Sequence, residues 1–328
     1  IRFADYHFKS NDPHNTISMG ICPNDGTIHL AFDHHGHPLH YRVSRKHVAS
    51  HPDGTAWSTS LFGPVVSELE DGKPIALTYP RFWSTPDDGL QFCYRKGSAG
   101  RGDRFLVDYQ ANAGTWTGTR QIDSRTGTFT DGWGKSESRC SYPNGYGFGP
   151  NGKFHVTWVW REGTGNANHD LMYAYSEDLG KTWLNNKGKP ISTPHVNSPD
   201  IKVATIMRGW GLINTSGQTV DSQGRVHVVM WHCTDDTLQT AGSGPLTGYN
   251  FGPPTARRYH HYWRARDGTW SHRELPWIAG NRPKVFMDGN DNAWLIWGAK
   301  QRTAKWYGLG SFSKGDLTIA AATATSGW

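Results

Sequence analysis

Short stretches in which apolar and polar positions alternate recur along the whole chain, and each is broken by a cluster of Asp, Asn and Gly. Alternation of this kind predicts half-buried β-strands joined by tight turns. No segment carries the three-to-four spacing of a convincing amphipathic helix. The strands come in a repeated unit: an apolar strand, a turn with Asp or Asn beside Gly, then a strand of alternating aromatic or β-branched residues. Its copies are ISMGICPNDGTIHLAFDHH, YPRFWSTPDDGLQFCYR, YPNGYGFGPNGKFHVTWVWRE and GQTVDSQGRVHVVMWHC, with a weaker one in RPKVFMDGNDNAWLIWG. The turn glycines are Gly26, Gly89, Gly152 and Gly224, and Asp291 takes that place in the fifth copy.

A second signal trails the first four copies, a Gly followed closely by Trp, in DGTAWST, AGTWTG, LGKTWLN and DGTWSH. The copy SEDLGKTW at 176–183 is a full Asp-box, the S-x-D-x-G-x-T-W hairpin that decorates propeller blades. A unit of about 60 to 70 residues with paired strands and such a hairpin has the size of a four-stranded blade with its loops. The predicted fold is therefore all-β, a single β-propeller domain over 1–328 with about five repeats evident. A β-sandwich is the alternative, but it has no reason to repeat one turn and one Trp pair.

Composition agrees with this reading: 39 Gly, 18 Pro, 16 Trp and 13 Tyr suit many short strands and turns. The net charge of +6, from 34 Lys and Arg against 28 Asp and Glu, favours encounter with a polyanion. Nucleic acid is set aside because there is no dense Lys/Arg tract and no helical reading element. No apolar run approaches the roughly 18 residues of a membrane span, so no membrane partner is expected. The chain opens on Ile1 rather than Met, which predicts a processed or trimmed N-terminus. Cys22, Cys93, Cys140 and Cys233 are widely spaced with no CxxC, and are expected to be buried free thiols.

Blades turn their innermost strands toward a central channel, so polar residues on those strands are the candidates for a site. Ten residues before the turns lie Thr16, Tyr79, Tyr142 and Asn214, with Asn281 in the matching place of the fifth copy. His14 shares a face with Thr16. On the next strand Arg95 follows its turn by six residues, and His34 and His232 follow theirs by eight, which is the same parity. The resulting constellation is His14, His34, Tyr79 and Arg95. Each also has a plain structural reading, as a packed strand residue or a stacked guanidinium.

With these residues in view, the sequence resembles the BNR-repeat polysaccharide lyases that degrade ulvan. The matching stretches are HNTISMGI (14–21), DGTIHLAFDHHGHPLHYR (25–42), TYPRF (78–82), QFCYRKGSAGRGD (91–103), YPNGYGFGPNGKFHVTWVWRE (142–162) and DLMYAYSEDLGKTW (170–183). The resemblance implies a seven-bladed propeller, whereas about five blades are evident here. It implies an acid/base pair at His14 and Tyr79, and an Arg sixteen positions beyond the Tyr, which is Arg95, to neutralise the uronate carboxylate. A second His follows the first by about twenty positions, and His34 or His35 fills that place; alternation and repeat parity favour His34.

That chemistry is elimination: removal of the C5 proton of a uronic acid and expulsion of the oxygen at C4. A guanidinium fork suits the carboxylate that opposes charge development at C5. A neutral His is a base near working pH, and a Tyr can donate to the leaving oxygen or, near a guanidinium, act as the base itself. Further expected substrate contacts are Asn15, His35, Tyr142, Asn214 and Arg282. No cofactor is required, although His232, Cys233 and His261, with His260 beside them, are candidates for a structural zinc or calcium ion. The expected partner is an acidic sulfated polysaccharide, acted on outside the cell by a monomer. Competing readings are a sialidase-like hydrolase, for which no clear arginine cluster with a Glu beside the Tyr is found, and a lectin-like propeller that binds without turnover.

Overall fold

In a computed structural model the described residues are 1–8, 12, 14–70, 72, 74–163, 168–212, 214, 216–247, 252–279, 282–298 and 317–328. The architecture is all-β: five antiparallel sheets follow one another along the chain as blades of a β-propeller. The chain divides into two compact units, 1–98 with 102–124, and 99–101 with 125–328. Among the described residues no helix is long and apolar enough to cross a membrane.

In the first unit the strands are β1 (Ile17–Cys22), β2 (Thr27–Phe32), β3 (His35–Pro38), β4 (Tyr41–Val43), β5 (Ala76–Ser84), β6 (Leu90–Ser98), β7 (Arg101–Gln110) and β8 (Thr115–Asp123). One sheet runs β1-β2-β4, the other β3-β5-β6-β7-β8. Strand β3 thus leaves the sheet of its chain neighbours β2 and β4 and hydrogen-bonds to β5. The cause is Asp33, whose left-handed φ of 64° turns the chain between β2 and β3. Strand β1 comes close to β5, which only a glycine permits: a Cβ on Gly20 would stand 2.4 Å from Phe82 Cβ. Leu77, Leu90, Phe92, Tyr94, Val107 and Trp116 form the core beneath.

The second unit continues with β9 (Phe129–Asp131), β10 (Gly134–Ser136), β11 (Arg139–Phe148), β12 (Phe154–Glu162), β13 (Asn168–Ser176), β14 (Trp183–Leu184), β15 (Pro190–Ile191) and β16 (Lys202–Ala204). Then come β17 (Gly217–Val220), β18 (Val226–His232), a short helix α1 (Asp235–Thr240), β19 (Arg258–Arg264), β20 (Trp270–Ile278), β21 (Lys284–Met287), β22 (Ala293–Gly298) and β23 (Leu317–Ala322). Its blades run β11-β12-β13-β14, β17-β18-β19-β20 and β21-β22-β23.

The repeated turn keeps a left-handed residue in every copy, but the first closes differently, Gly26 (φ 64°) returning its N–H to Cys22 four residues before it. Gly152, Gly224 and Asp291 are left-handed (φ 76°, 77° and 60°) and each returns its N–H to the residue three before it, the tight hairpin in which a left-handed residue matches the strand twist. In the second copy the residue in that role is Asp88 (φ 62°), not Gly89. The Asp-box forms as expected: Asp178 accepts the backbone N–H groups of Lys181 and Thr182 and the Thr182 hydroxyl, and Trp183 is buried. The DGTAWST stretch departs from it. Its Pro52–Gly54 is a 3-10 turn, and Trp57 stays exposed with its indole N–H on the Pro52 carbonyl.

A buried polar side chain three residues past the left-handed turn residue recurs as well. His29 and His155 each bond a tyrosine hydroxyl, of Tyr41 and Tyr173, at 2.7 and 2.8 Å, and His227 reaches His261 at 3.1 Å. Burial lowers the pKa of all three imidazoles. They are neutral scaffold histidines, which accounts for part of the chain's large complement of 17.

Candidate active site

In the first unit, strand pairing sets a row across one sheet: His35 on β3 faces Thr78 on β5, and Thr78 faces Arg95 on β6. The Thr78 hydroxyl accepts the Gly36 N–H at 2.9 Å, pinning the β3 turn to this row. Next to Thr78 the β5–β6 register jumps from Thr78/Arg95 to Arg81/Cys93, so Tyr79 and Pro80 together oppose one residue. Proline has no N–H to lose at such a bulge. Tyr79 takes a left-handed φ of 57° there, a conformation costing a non-glycine residue about 1–2 kcal/mol. Its ring lies half-buried, 4.9 Å from the Arg95 guanidinium carbon.

His14 reaches the same place from the turn that precedes β1. Its ring centroid is 6.0 Å from that of Tyr79 and 3.9 Å from that of His35, against which it stacks at 23°. One carboxylate joins the two imidazoles: Asp12 Oδ1 lies 2.5 Å from His14 Nδ1, and Oδ2 lies 2.5 Å from His35 Nδ1. Burial opposes the charge on Asp12, but the His14 backbone N–H and the two imidazoles outweigh it and hold the carboxyl well below the usual range. With Asp12 accepting at Nδ1, the proton of neutral His14 sits there and Nε2 carries the basic lone pair. The side chains of Asp12, His14 and His35 are 26%, 15% and 40% exposed, so the cluster is open to a ligand, while Arg95 lies at its base, 5% exposed.

Asp12 was not among the sequence candidates. The signal available was an acidic residue two positions ahead of His14 in the turn before a strand. The histidine doublet also resolves differently from the parity argument. It is His35 that meets His14, because the turn at Asp33 breaks the alternation on which His34 was preferred. His34 is 1% exposed, its Nε2 accepts the His40 backbone N–H at 2.9 Å, and burial pushes its pKa down to about 3. It is a buried neutral ring stacked on His40. Asn15 is half-buried in the turn that places His14, its N–H on the Asp12 carbonyl.

Tyr142 and Asn214 belong to the second unit, and the structure gives both to Arg161. Its guanidinium lies 4.5 Å from the Tyr142 ring, donates to the Tyr142 hydroxyl at 3.2 Å and to Asn168 at 2.7 Å, and also donates to Asn214. Tyr142 and Asn214 are each 1% exposed. Their polar atoms serve a sealed network rather than the substrate contacts expected from their repeat positions. Arg282 is half-buried just ahead of β21, and Asn281 lies outside the described residues.

The expected metal ligands do not converge. His232 bonds the Cys233 carbonyl and the Tyr262 hydroxyl, and stacks on His260 at 3.6 Å. His261 turns to His227 instead. Cys233 packs in an apolar cluster with Leu238, Leu246 and Ala256, where burial raises its thiol to about 11. Successive strand residues face opposite ways, which separates His260 from His261. All four cysteines are free and buried, as expected.

A family model described as a BNR repeat-containing family member matches residues 1–277. The chain belongs to that family. Among the relatives of this BNR-repeat protein, an ulvan lyase, long isoform, of Pseudoalteromonas sp. (strain PLSV) is 26% identical over 269 residues, 66% of this chain and 26% of that protein. An ulvan lyase, short isoform, of Alteromonas sp. (strain LOR) is 27% identical over 239 residues, 58% of this chain and 43% of that one. The match thus spans about a quarter of the long-isoform relatives and less than half of the short one. Among solved structures, that of polysaccharide lyase Uly1 superposes with a TM-score of 0.64 at 20% identity, over 94% of this chain and 66% of that one. A PL25 ulvan lyase bound to -[GlcA(1-4)Rha3S]- gives 0.62 at 15% identity, over 88% and 65%. These structures share the fold.

Proposed function

We propose that this BNR-repeat protein is a polysaccharide lyase that cleaves ulvan by β-elimination at its uronate. The observation that carries the reading is the convergence of a guanidinium, an imidazole held with its lone pair on Nε2, and a half-buried phenol on one open cluster. The activity for which its relatives are named supports the choice of polymer. Arg95 receives the uronate carboxylate and offsets the charge that builds at C5. His14 Nε2 takes the C5 proton; the electron pair of that C–H bond forms the C4–C5 double bond; the C4–O bond breaks; Tyr79 supplies the proton to the leaving oxygen. Asp12 is a positioning residue that fixes the His14 tautomer, and His35 flanks the sugar. The scheme calls for no redox cofactor. A polymer of this size and charge is met outside the cell, so secretion and a monomeric state are part of the proposal.

The test is incubation of the protein with ulvan and with other uronate polymers, following ultraviolet absorbance of the conjugated uronate and product mass. The reading predicts absorbing products with ulvan. Products that form without that absorbance would indicate hydrolysis, and binding without products would indicate a lectin; either result removes the lyase reading.

A further inference from the structure

We propose that Asp12, His14 and His35 also form a site for a divalent transition metal of the zinc class, whose binding turns the acid/base cluster off. Among the described residues this is the grouping of three His, Cys, Asp or Glu side chains whose donor atoms all lie within 4.8 Å of one another. One carboxylate and two imidazoles with open positions are a donor set that zinc accepts. The two rings are stacked with each Nδ1 turned to its own oxygen of one carboxylate, at 2.5 Å each, so both imidazoles present a nitrogen on the side where Asp12 lies. A tetrahedral zinc with bonds of about 2 Å sets its ligand atoms about 3.3 Å apart, so the Asp12 carboxylate withdraws by less than about 1 Å. The rest of the coordination shell is water, since the cluster is open.

The consequence follows from the tautomer. Zinc at His14 Nδ1 moves the ring proton to Nε2, and the lone pair that would remove the C5 proton is gone. Binding rests on donor geometry alone, whereas the loss of turnover rests on the lyase reading, and the two are measured separately.

The experiment is calorimetric titration of the chelator-treated full chain with zinc chloride, with cobalt(II) visible absorption as the readout of coordination. One equivalent is expected to bind and to raise the melting temperature. Asp12→Asn and His35→Gln are each expected to weaken binding at least 100-fold and to abolish the cobalt band, while the exposed His272→Gln leaves both intact. Zinc-free melting curves show whether each variant is folded. Stoichiometric uptake that survives both Asp12→Asn and His35→Gln, uptake that is lost in His272→Gln, or no stoichiometric uptake at all overturns the site. In the activity arm, ulvan turnover falls more than 10-fold with bound zinc and recovers with chelator. Full activity of the zinc-loaded protein overturns the switch, and absence of turnover without zinc overturns the lyase reading while leaving the titration to stand.

Discussion

Tyr79 with Arg95, and Tyr142 with Arg161, are one construction met in two successive repeats, a guanidinium 4.9 or 4.5 Å from a phenol ring. In the second pair the chain keeps Tyr142 in its ladder opposite Val159, and the bulge comes two residues later, at Asn144. The tyrosine points into the interior, and Arg161 spends its N–H groups on Tyr142, Asn168 and Asn214. In the first pair the bulge falls on the tyrosine itself. Tyr79 turns left-handed, rises half out of the sheet and meets His14. Counted from the left-handed turn residues Asp88 and Gly152, the two bulges hold the same place, and it is the tyrosine that stands one residue nearer the turn in the first pair. That one-residue displacement onto the bulge separates an open arrangement from a sealed one, and residue types alone do not distinguish them.

Deleting the two guanidiniums breaks the comparison most forcefully. Arg95→Ala removes the partner of the substrate carboxylate and is expected to lower kcat/KM on ulvan by about 10³-fold. Arg161→Ala takes the guanidinium partner from the buried Asn214 oxygen and from the Tyr142 ring and is expected to cost about 2–4 kcal/mol of stability, read as a lowered denaturation midpoint. If Arg161→Ala spares stability and abolishes turnover, the two pairs are not different in kind.

Acid strikes the scaffolds of both units alike. His29 and His34 in the first, and His155 and His261 in the second, are pushed down to about 3 by burial. Unfolded, each titrates near its ordinary value of about 6.5. Below that pH the unfolded chain binds protons that the folded chain refuses, so stability is flat above about 6.5 and falls on acidification toward about 3. Each such histidine removes up to about 1.4 kcal/mol per pH unit. Melting temperatures measured from pH 8 down should show that fall; a melting temperature that holds constant from pH 7 to 4 contradicts neutral burial.

A smaller change displaces Arg95 without deleting it. A Cβ on Gly102 would stand 2.8 Å from Arg95 Cδ and 3.0 Å from Cγ. Gly102→Ala is therefore expected to reduce turnover about 10-fold with little loss of folding stability. Unchanged turnover would mean that the position of Arg95 does not matter.

The repeat, the turns and the Asp-box were legible because each is a local pattern, and His14, Tyr79 and Arg95 were legible from their places in the repeat together with the family resemblance. The count that found Tyr79 nonetheless used Gly89, one residue past the true left-handed position at Asp88, and the ladder place that Tyr142 holds opposite Val159 belongs in this repeat to Thr78, opposite Arg95. What stayed hidden depends on backbone events with no simple residue signature. Asp33 turns β3 into the next sheet, which brings His35 rather than His34 to the cluster and makes Asp12 the bridge. His29, His155 and His227 carried a readable signal, the same residue type three positions past three turns, which identifies them as scaffold. The ligand set at His232, Cys233 and His261 came apart because neighbours in a strand face opposite sides.

The central claim, that Tyr79 belongs to a reactive cluster and Tyr142 to a structural one, is tested most directly by two hydroxyl deletions read on the same two axes. Tyr79→Phe should lose ulvan turnover about 10²-fold or more at an unchanged melting temperature, and Tyr142→Phe should lower the melting temperature while turnover per folded molecule persists. Loss of turnover from Tyr142→Phe at full stability, with Tyr79→Phe active, would contradict the account.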